Sequence, residues 1–142
     1  MTIEEKIKEL RKLTPKVMEQ KILGILKKHE ATIVDLNIGQ MMAGTRADSK
    51  PILPDYSPST VLAKKLKGQI SDHVTLRDEG DFQRSMFADT GKFPVTLDSQ
   101  DYKTTKLVKK YGEEIFGLTK ESKAELSQEM VEDIQALYKE LL

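Results

Sequence analysis

Apolar positions recur mainly at helical intervals along this chain, and they alternate with polar positions in one stretch only. Thr2 and Glu5 have the spacing of a capping box, with Ile3, Ile7 and Leu10 on one face behind them, which predicts a short first helix. Thr14 and Pro15 read as an N-cap and first-turn pair. After them Met18, Ile22, Ile25, Leu26, Ile33 and Leu36 continue a stripe of period near 3.6 as far as Gly44. The pattern predicts one long helix from Pro15 to Ala43, the alternative being two helices broken near His29 to Thr32. Gly24 and Gly39 lie inside it, each costing about 1 kcal/mol relative to Ala, and mark a bend or a close helix contact.

From Gly44 to Ser57 the chain is polar and carries Pro51 and Pro54, which favours an extended loop. Ser57 and Pro58 restart a helix whose small apolar face is Val61, Leu62 and Leu66, with Lys64, Lys65 and Lys67 near its end and Gly68 as the stop. His73 to Leu76 reads as a short strand. The alternating stretch is Phe93, Val95 and Leu97 against Pro94, Thr96 and Asp98, with Asp89, Thr90 and Gly91 as turn residues. It predicts a hairpin with Ser85 to Ala88, in which Pro94, lacking an amide, lies at an edge or faces away from its partner. Thr104 or Thr105 caps a helix through Tyr111 that ends at Gly112. Thr119 opens the last helix, with Leu126, Met130, Ile134, Leu137 and Leu141 on one face.

These elements predict an α+β fold: a small antiparallel sheet packed by a long N-terminal helix, with a C-terminal amphipathic helix. The chain reads as a single domain over 1–142, with a helical part at 1–44, an α+β core at 45–118 and the last helix at 119–142. Its 142 residues and 16.1 kDa fit one domain. Hydrophobic residues reach only 38%, with no tryptophan, so the core is aliphatic and thin and neighbours could supply part of the stability.

Charge changes the picture more than size does. Lys plus Arg (23) offsets Asp plus Glu (23), which argues against a general polyanion binder. The zero is nonetheless a sum of unlike ends. Lys6, Lys8, Arg11, Lys12, Lys16, Lys21, Lys27 and Lys28 make the start basic, whereas Glu125, Glu129, Glu132, Asp133 and Glu140 make the last helix acidic. The charged start does not resemble a leader, and no run approaches the roughly 18 apolar residues of a membrane span, so the chain is expected to be soluble.

Candidate chemistry is sparse. With no cysteine, disulfides, thiolate metal sites and cysteine nucleophiles are excluded. Gly91 and Lys92 lead into Phe93 rather than completing a phosphate loop, and no G-x-S-x-G occurs. His29 has no second histidine at ligand spacing and reads as a helix-surface residue. Asp72, His73, Asp78, Glu79 and Asp81 form the one cluster resembling a hard-cation site, without the calcium-loop pattern; a solvated acidic turn is the plainer reading. The lysines at 64, 65 and 67 and at 103, 106, 109 and 110 have only Tyr102 and Tyr111 beside them for base stacking, and read as solvated helix faces. The expectation is no cofactor, no metal and no catalytic residue.

One segment carries a resemblance. Residues Thr75 to Ser85 read T-L-R-D-E-G-D-F-Q-R-S, which resembles the R-D-T-G-x-L-x-x-S signature of small bacteriophage virion morphogenesis and tail-completion proteins. Glu79 stands where that family commonly has Thr, and Phe82 where Leu is common. Leu107, Val108, Lys109, Lys110, Tyr111 and Gly112 look like the family's later Y-G element. Tyr56, Ser57, Pro58, Ser59 and Thr60, with Lys64, Lys65 and Gly68, are similar to the run that precedes the signature in phages of gut Bacteroides, including crAss-like phages. The resemblance covers roughly residues 36 to 118.

It implies a non-enzymatic virion protein of the neck, a head-tail connector or tail-completion subunit in a ring with portal and tail proteins, made in the host cytoplasm, with DNA only as channel content. The structural motif residues are then Arg77, Asp78, Gly80, Asp81, Phe82, Ser85, Tyr111 and Gly112. Arg77, Asp78 and Asp81 would organise a turn, Gly80 would supply its backbone freedom, and Phe82 would anchor it in the core. The charge split suggests head-to-tail subunit contacts, with Lys27, Lys28, Leu126, Met130 and Ile134 as the candidate interface. Two other readings are a cytoplasmic helical adaptor that binds a partner through Leu126, Met130 and Ile134, and an enzyme with carboxylates at Asp72, Asp78 and Glu79.

Overall fold

Residues 2–141 are described by a computed structural model. Its elements are α1 (Ile3–Arg11), α2 (Pro15–Lys28), α3 (Glu30–Met42), α4 (Pro58–Leu66), a single turn α5 (Asp81–Arg84), β1 (Met86–Asp89), β2 (Thr96–Ser99), α6 (Thr104–Tyr111), a 3-10 turn at Glu113–Ile115, and α7 (Lys120–Leu141). The fold is α+β, as the residue pattern predicts. Among the described residues, no helix is long and apolar enough to cross a membrane.

Four helix starts follow their expected cap residues, whereas α6 starts at Thr104 itself, with Lys103 in the cap position and no side-chain cap, so neither Thr104 nor Thr105 caps it. Thr2 Oγ1 accepts the Glu5 N–H at 3.1 Å while Glu5 Oε2 accepts the Thr2 N–H at 2.7 Å, completing the capping box of α1. Thr14, Ser57 and Thr119 accept the N–H groups of Val17, Thr60 and Ser122 in the same way.

The long helix expected from Pro15 to Ala43 is two helices. His29, at φ −101° and ψ 18°, ends α2 and opens α3. Its Nε2 lies 2.6 Å from Asp133 Oδ2 on α7, a contact that an unbroken helix would have to place elsewhere. Neither glycine marks the break: a Cβ at Gly24 or Gly39 would meet nothing within 4 Å.

The sheet is smaller than the alternation suggests. β1 and β2 pair antiparallel, Met86 with Ser99, Phe87 with Asp98, Ala88 with Leu97 and Asp89 with Thr96. Phe93 and Pro94 fall in the connection instead of the second strand, since Pro94 has no amide to offer a ladder and Phe93 stays exposed. His73 to Leu76 is not a strand either: Val74, Thr75 and Leu76 are buried, but Leu76 takes a φ of +60°, which breaks any extended run.

Two clusters make the core. Met41, Ile52, Val74, Leu76, Phe82, Met86, Tyr111 and Ile115 fill the first, between α3, α6 and the loops. Ile33, Ala88, Leu126 and Met130 fill the second, where α7 and β1 meet α3. Outside both, Arg46 pairs with Asp48 and, at 3.0 Å, with Glu114, tying the loop after α3 to the 3-10 turn. The Arg46 guanidinium holds the Asp48 carboxyl far below the usual range, whereas Asp48 beside it pushes Glu114 up.

Candidate functional site

Residues from three separate parts of the chain close around one small cleft. Tyr56 and Lys64 from the α4 region, Arg77, Asp78 and Gly80 from the loop before α5, Phe82 from α5 and Tyr111 from α6 line a space of about 150 Å³.

The cleft is built by backbone capture. Tyr56 Oη accepts the Thr75 N–H at 3.0 Å. Lys64 is nine-tenths buried, an unusual state for a lysine, because its ammonium donates to the Arg77 carbonyl at 2.5 Å and lies 4.8 Å over the Tyr56 ring. Gln83 donates through Nε2 to the carbonyls of Leu76 (3.0 Å) and Thr75 (3.3 Å). These three side chains hold a loop that has no ladder to satisfy its polar groups.

The turn itself is shaped by one glycine and by short-range contacts. Gly80 sits at φ +88°, which side-chain-bearing residues resist, and it opens α5. Asp81 pairs with Arg84, whose Nη1 also donates to the Glu79 carbonyl at 3.0 Å. Phe82 is buried, packs edge-to-face on Phe116 at 5.7 Å, and has its carbonyl capped by Ser99 Oγ at 2.8 Å. The Ser85 N–H donates to the Asp81 carbonyl, and its own carbonyl accepts from Gln100. Asp78 departs from the local role: its carboxylate takes Lys67 of the preceding helix end at 2.9 Å. That contact lowers the Asp78 pKa and raises that of Lys67. Tyr111 is buried, which pushes its hydroxyl up, and Gly112 ends α6 at φ +95°.

The candidate subunit interface is not a single open face. Leu126 and Met130 are buried in the second core cluster, because α7 turns that stripe onto α3 and β1; only Ile134, at 46% exposure, remains outside. Lys28 pairs with Asp133 at 2.8 Å and Lys21 with Glu140 at 3.0 Å, so part of the complementarity between basic start and acidic end is met inside one chain. Lys27 is exposed. The acidic cluster does not converge: Asp72 faces His73 at 2.9 Å, Asp78 faces Lys67 and Asp81 faces Arg84. Among the described residues, no group of three or more carboxylate or imidazole side chains is placed to hold a metal ion.

Sequence reasoning missed Gln83, Asn37 and Gln40. Asn37 and Gln40 share the buried stripe of α3 with Ile33 and Met41, and a polar residue inside an apolar stripe was the available clue.

The fold and cleft define an α+β protein whose clustered polar side chains chiefly hold its own backbone. No protein family matches the chain, and no curated protein or solved structure is similar to it.

Proposed function

We propose that the chain is a bacteriophage virion structural protein of the neck, a head-tail connector or tail-completion subunit acting in a ring between portal and tail. The observation that carries this reading is the convergence just described. Three stretches similar to that family, separated along the chain, supply Tyr56, Lys64, Arg77, Gly80, Phe82 and Tyr111 to one cleft.

The reading takes the protein as non-enzymatic, a homo-oligomer with portal and tail proteins as partners, made in the host cytoplasm and carried in the virion. DNA passes it as channel content. Ring contacts fall to surfaces other than the α2–α7 charge pairs. The stripe Ile3, Ile7 and Leu10 on α1, a helix with no buried residue, is available for them. The adaptor reading needs Leu126 and Met130 at the surface, and both are buried.

Mass spectrometry of purified virions of the phage that carries the gene, followed by cryo-electron microscopy of the neck, tests this. The chain should be present and arranged with cyclic symmetry between portal and tail. Its absence from intact virions overturns the reading.

A further inference from the structure

The cleft between α4, the loop before α5 and α6 gathers hydrogen-bond donors and leaves one of them unused. Tyr111 lines it and is only 6% exposed, yet its hydroxyl has no hydrogen-bond partner among the described residues. Tyr56 does not supply one, since its own hydroxyl is engaged with the Thr75 N–H at 3.0 Å and the Thr75 hydroxyl at 3.4 Å. Burial first, and Tyr56 second, push the Tyr111 hydroxyl up, so it remains a donor at neutral pH. A buried donor without an acceptor is costly, which makes an acceptor in the cleft its natural complement.

Cations stand around the same space. The Lys64 ammonium, nine-tenths buried, carries three donors; the Arg77 carbonyl takes one at 2.5 Å and Gln69 Oε1 another at 3.4 Å, which leaves one. Arg77 has no ion-pair partner among the described residues, and Lys103 reaches a carboxylate, that of Asp101, only at 3.9 Å. Asp78 is the one acid that lines the cleft, and Lys67 neutralises it from outside at 2.9 Å. The remaining wall is apolar, with Leu76, Phe82 and Leu107, and such walls strengthen the attraction of an anion to the cations.

We propose that the cleft binds one phosphate group, held by Tyr111, Lys64, Arg77 and Lys103. Three cations and a phenolic donor call for an anion that accepts several hydrogen bonds at once. With the single acid already neutralised, the charge balance favours a dianion over a carboxylate. The space of about 150 Å³ is well below the roughly 300 Å³ at which sites for drug-sized ligands begin, so it takes one such group and no sugar or base with it. The phosphate is therefore free, or is the terminal group of a larger molecule whose remainder stays outside. The proposal goes beyond the neck reading and stands or falls separately from it.

NMR titration of the isotope-labelled full chain at neutral pH tests it, with inorganic phosphate, methyl phosphate and acetate as probes and sodium chloride holding the ionic strength constant. Phosphate should shift the Arg77 and Gly80 amides and reach half-saturation at or below about 1 mM. Methyl phosphate that binds as tightly marks the terminal group of a larger molecule as the source, and weaker binding marks the free anion; either accords with the proposal. Tyr111→Phe, which keeps the ring in the core, should bind phosphate about tenfold more weakly while melting no lower than the parent. Arg77→Gln should weaken binding about tenfold as well, whereas Lys109→Gln, which removes an exposed charge of α6 outside the cleft, should leave it unchanged. Failure to reach half-saturation at about 1 mM phosphate overturns the proposal. So does acetate binding as tightly as phosphate, which would assign the cleft to a carboxylate. Unchanged affinity in Tyr111→Phe, or equal weakening by Arg77→Gln and Lys109→Gln, also overturns it and makes the attraction a property of the basic surface.

Discussion

Asn37 of α3 and Gly117, eighty positions apart, are joined by a hydrogen bond from the Gly117 N–H to Asn37 Oδ1 at 3.0 Å, while Asn37 Nδ2 donates to the Ile115 carbonyl at the same distance. One turn later Gln40 repeats the arrangement, donating to the Gly117 carbonyl at 2.8 Å and accepting the Thr119 N–H at 2.9 Å. The segment that leads into α7 thus has its backbone satisfied by two side chains of α3, and α7 is placed by them as well as by its apolar face.

Replacing Asn37, which is fully buried, by Ala leaves the Ile115 carbonyl and the Gly117 amide unpaired in the interior. The expected loss is about 2–4 kcal/mol, read from urea unfolding at neutral pH. Asn37→Ala combined with Gln40→Ala should lose less than the sum of the single changes, since both side chains act on one segment.

Met130 and Ile134 lie one turn apart on α7 and should respond differently. Met130→Ala opens a cavity in the second core cluster and should cost about 2–5 kcal/mol. Ile134→Ala, at a half-exposed position, should stay within about 1 kcal/mol of the parent in the same unfolding series.

Gly80 and Gly24 form an opposed pair. At Gly80 the positive φ resists a side chain, and a Cβ would come 2.8 Å from Arg84 Nη1, displacing it from the Glu79 carbonyl. Gly80→Ala should therefore destabilise by about 1–2 kcal/mol. Gly24→Ala adds a Cβ in open space inside a helix and should stabilise by about 0.5–1 kcal/mol, visible as a raised melting temperature.

Asp133 gives the stability a pH dependence. Its carboxyl is held below the ordinary range by the hydrogen bond from Lys28 first and the contact with His29 second. A carboxyl lowered in the folded state stabilises the fold above the unfolded-state pKa, near 4, and that contribution is lost as pH falls through the folded value. Asp133→Asn should lower the melting temperature at pH 7, and the gap between parent and variant should close as melts are repeated at falling pH below about 4. A gap that stays constant to pH 2 would contradict the pairing.

Much of the helical framework is legible in the residues because its causes are local. Thr2 with Glu5, Thr14 with Pro15, Ser57 with Pro58 and Thr119 each place a helix start within a few positions. The break at His29 is only half legible: apolar periodicity runs through it, and what favours two helices is a residue of α7, over a hundred positions away. The strand expected at His73 to Leu76 misleads for the same reason. Val74 and Leu76 are buried, but Tyr56 and Gln83 satisfy its backbone in place of a neighbouring strand, and Lys64 takes the Arg77 carbonyl just after it. Of the motif residues, the roles of Gly80 and Phe82 follow from their own chemistry, whereas the partner of Asp78 belongs to an earlier helix. The stripe on α7 is legible as buried; that it is buried against its own chain, not another, is a fact of tertiary packing.

The pairing of α2 with α7 through Lys21–Glu140 and Lys28–Asp133 also bears on encounter kinetics. Opposite charges folded against each other largely cancel their fields within a Debye length, about 8 Å at physiological salt. Along that seam the molecule presents little dipole to an approaching partner, so electrostatic steering contributes little there and association depends on orientation found by diffusion.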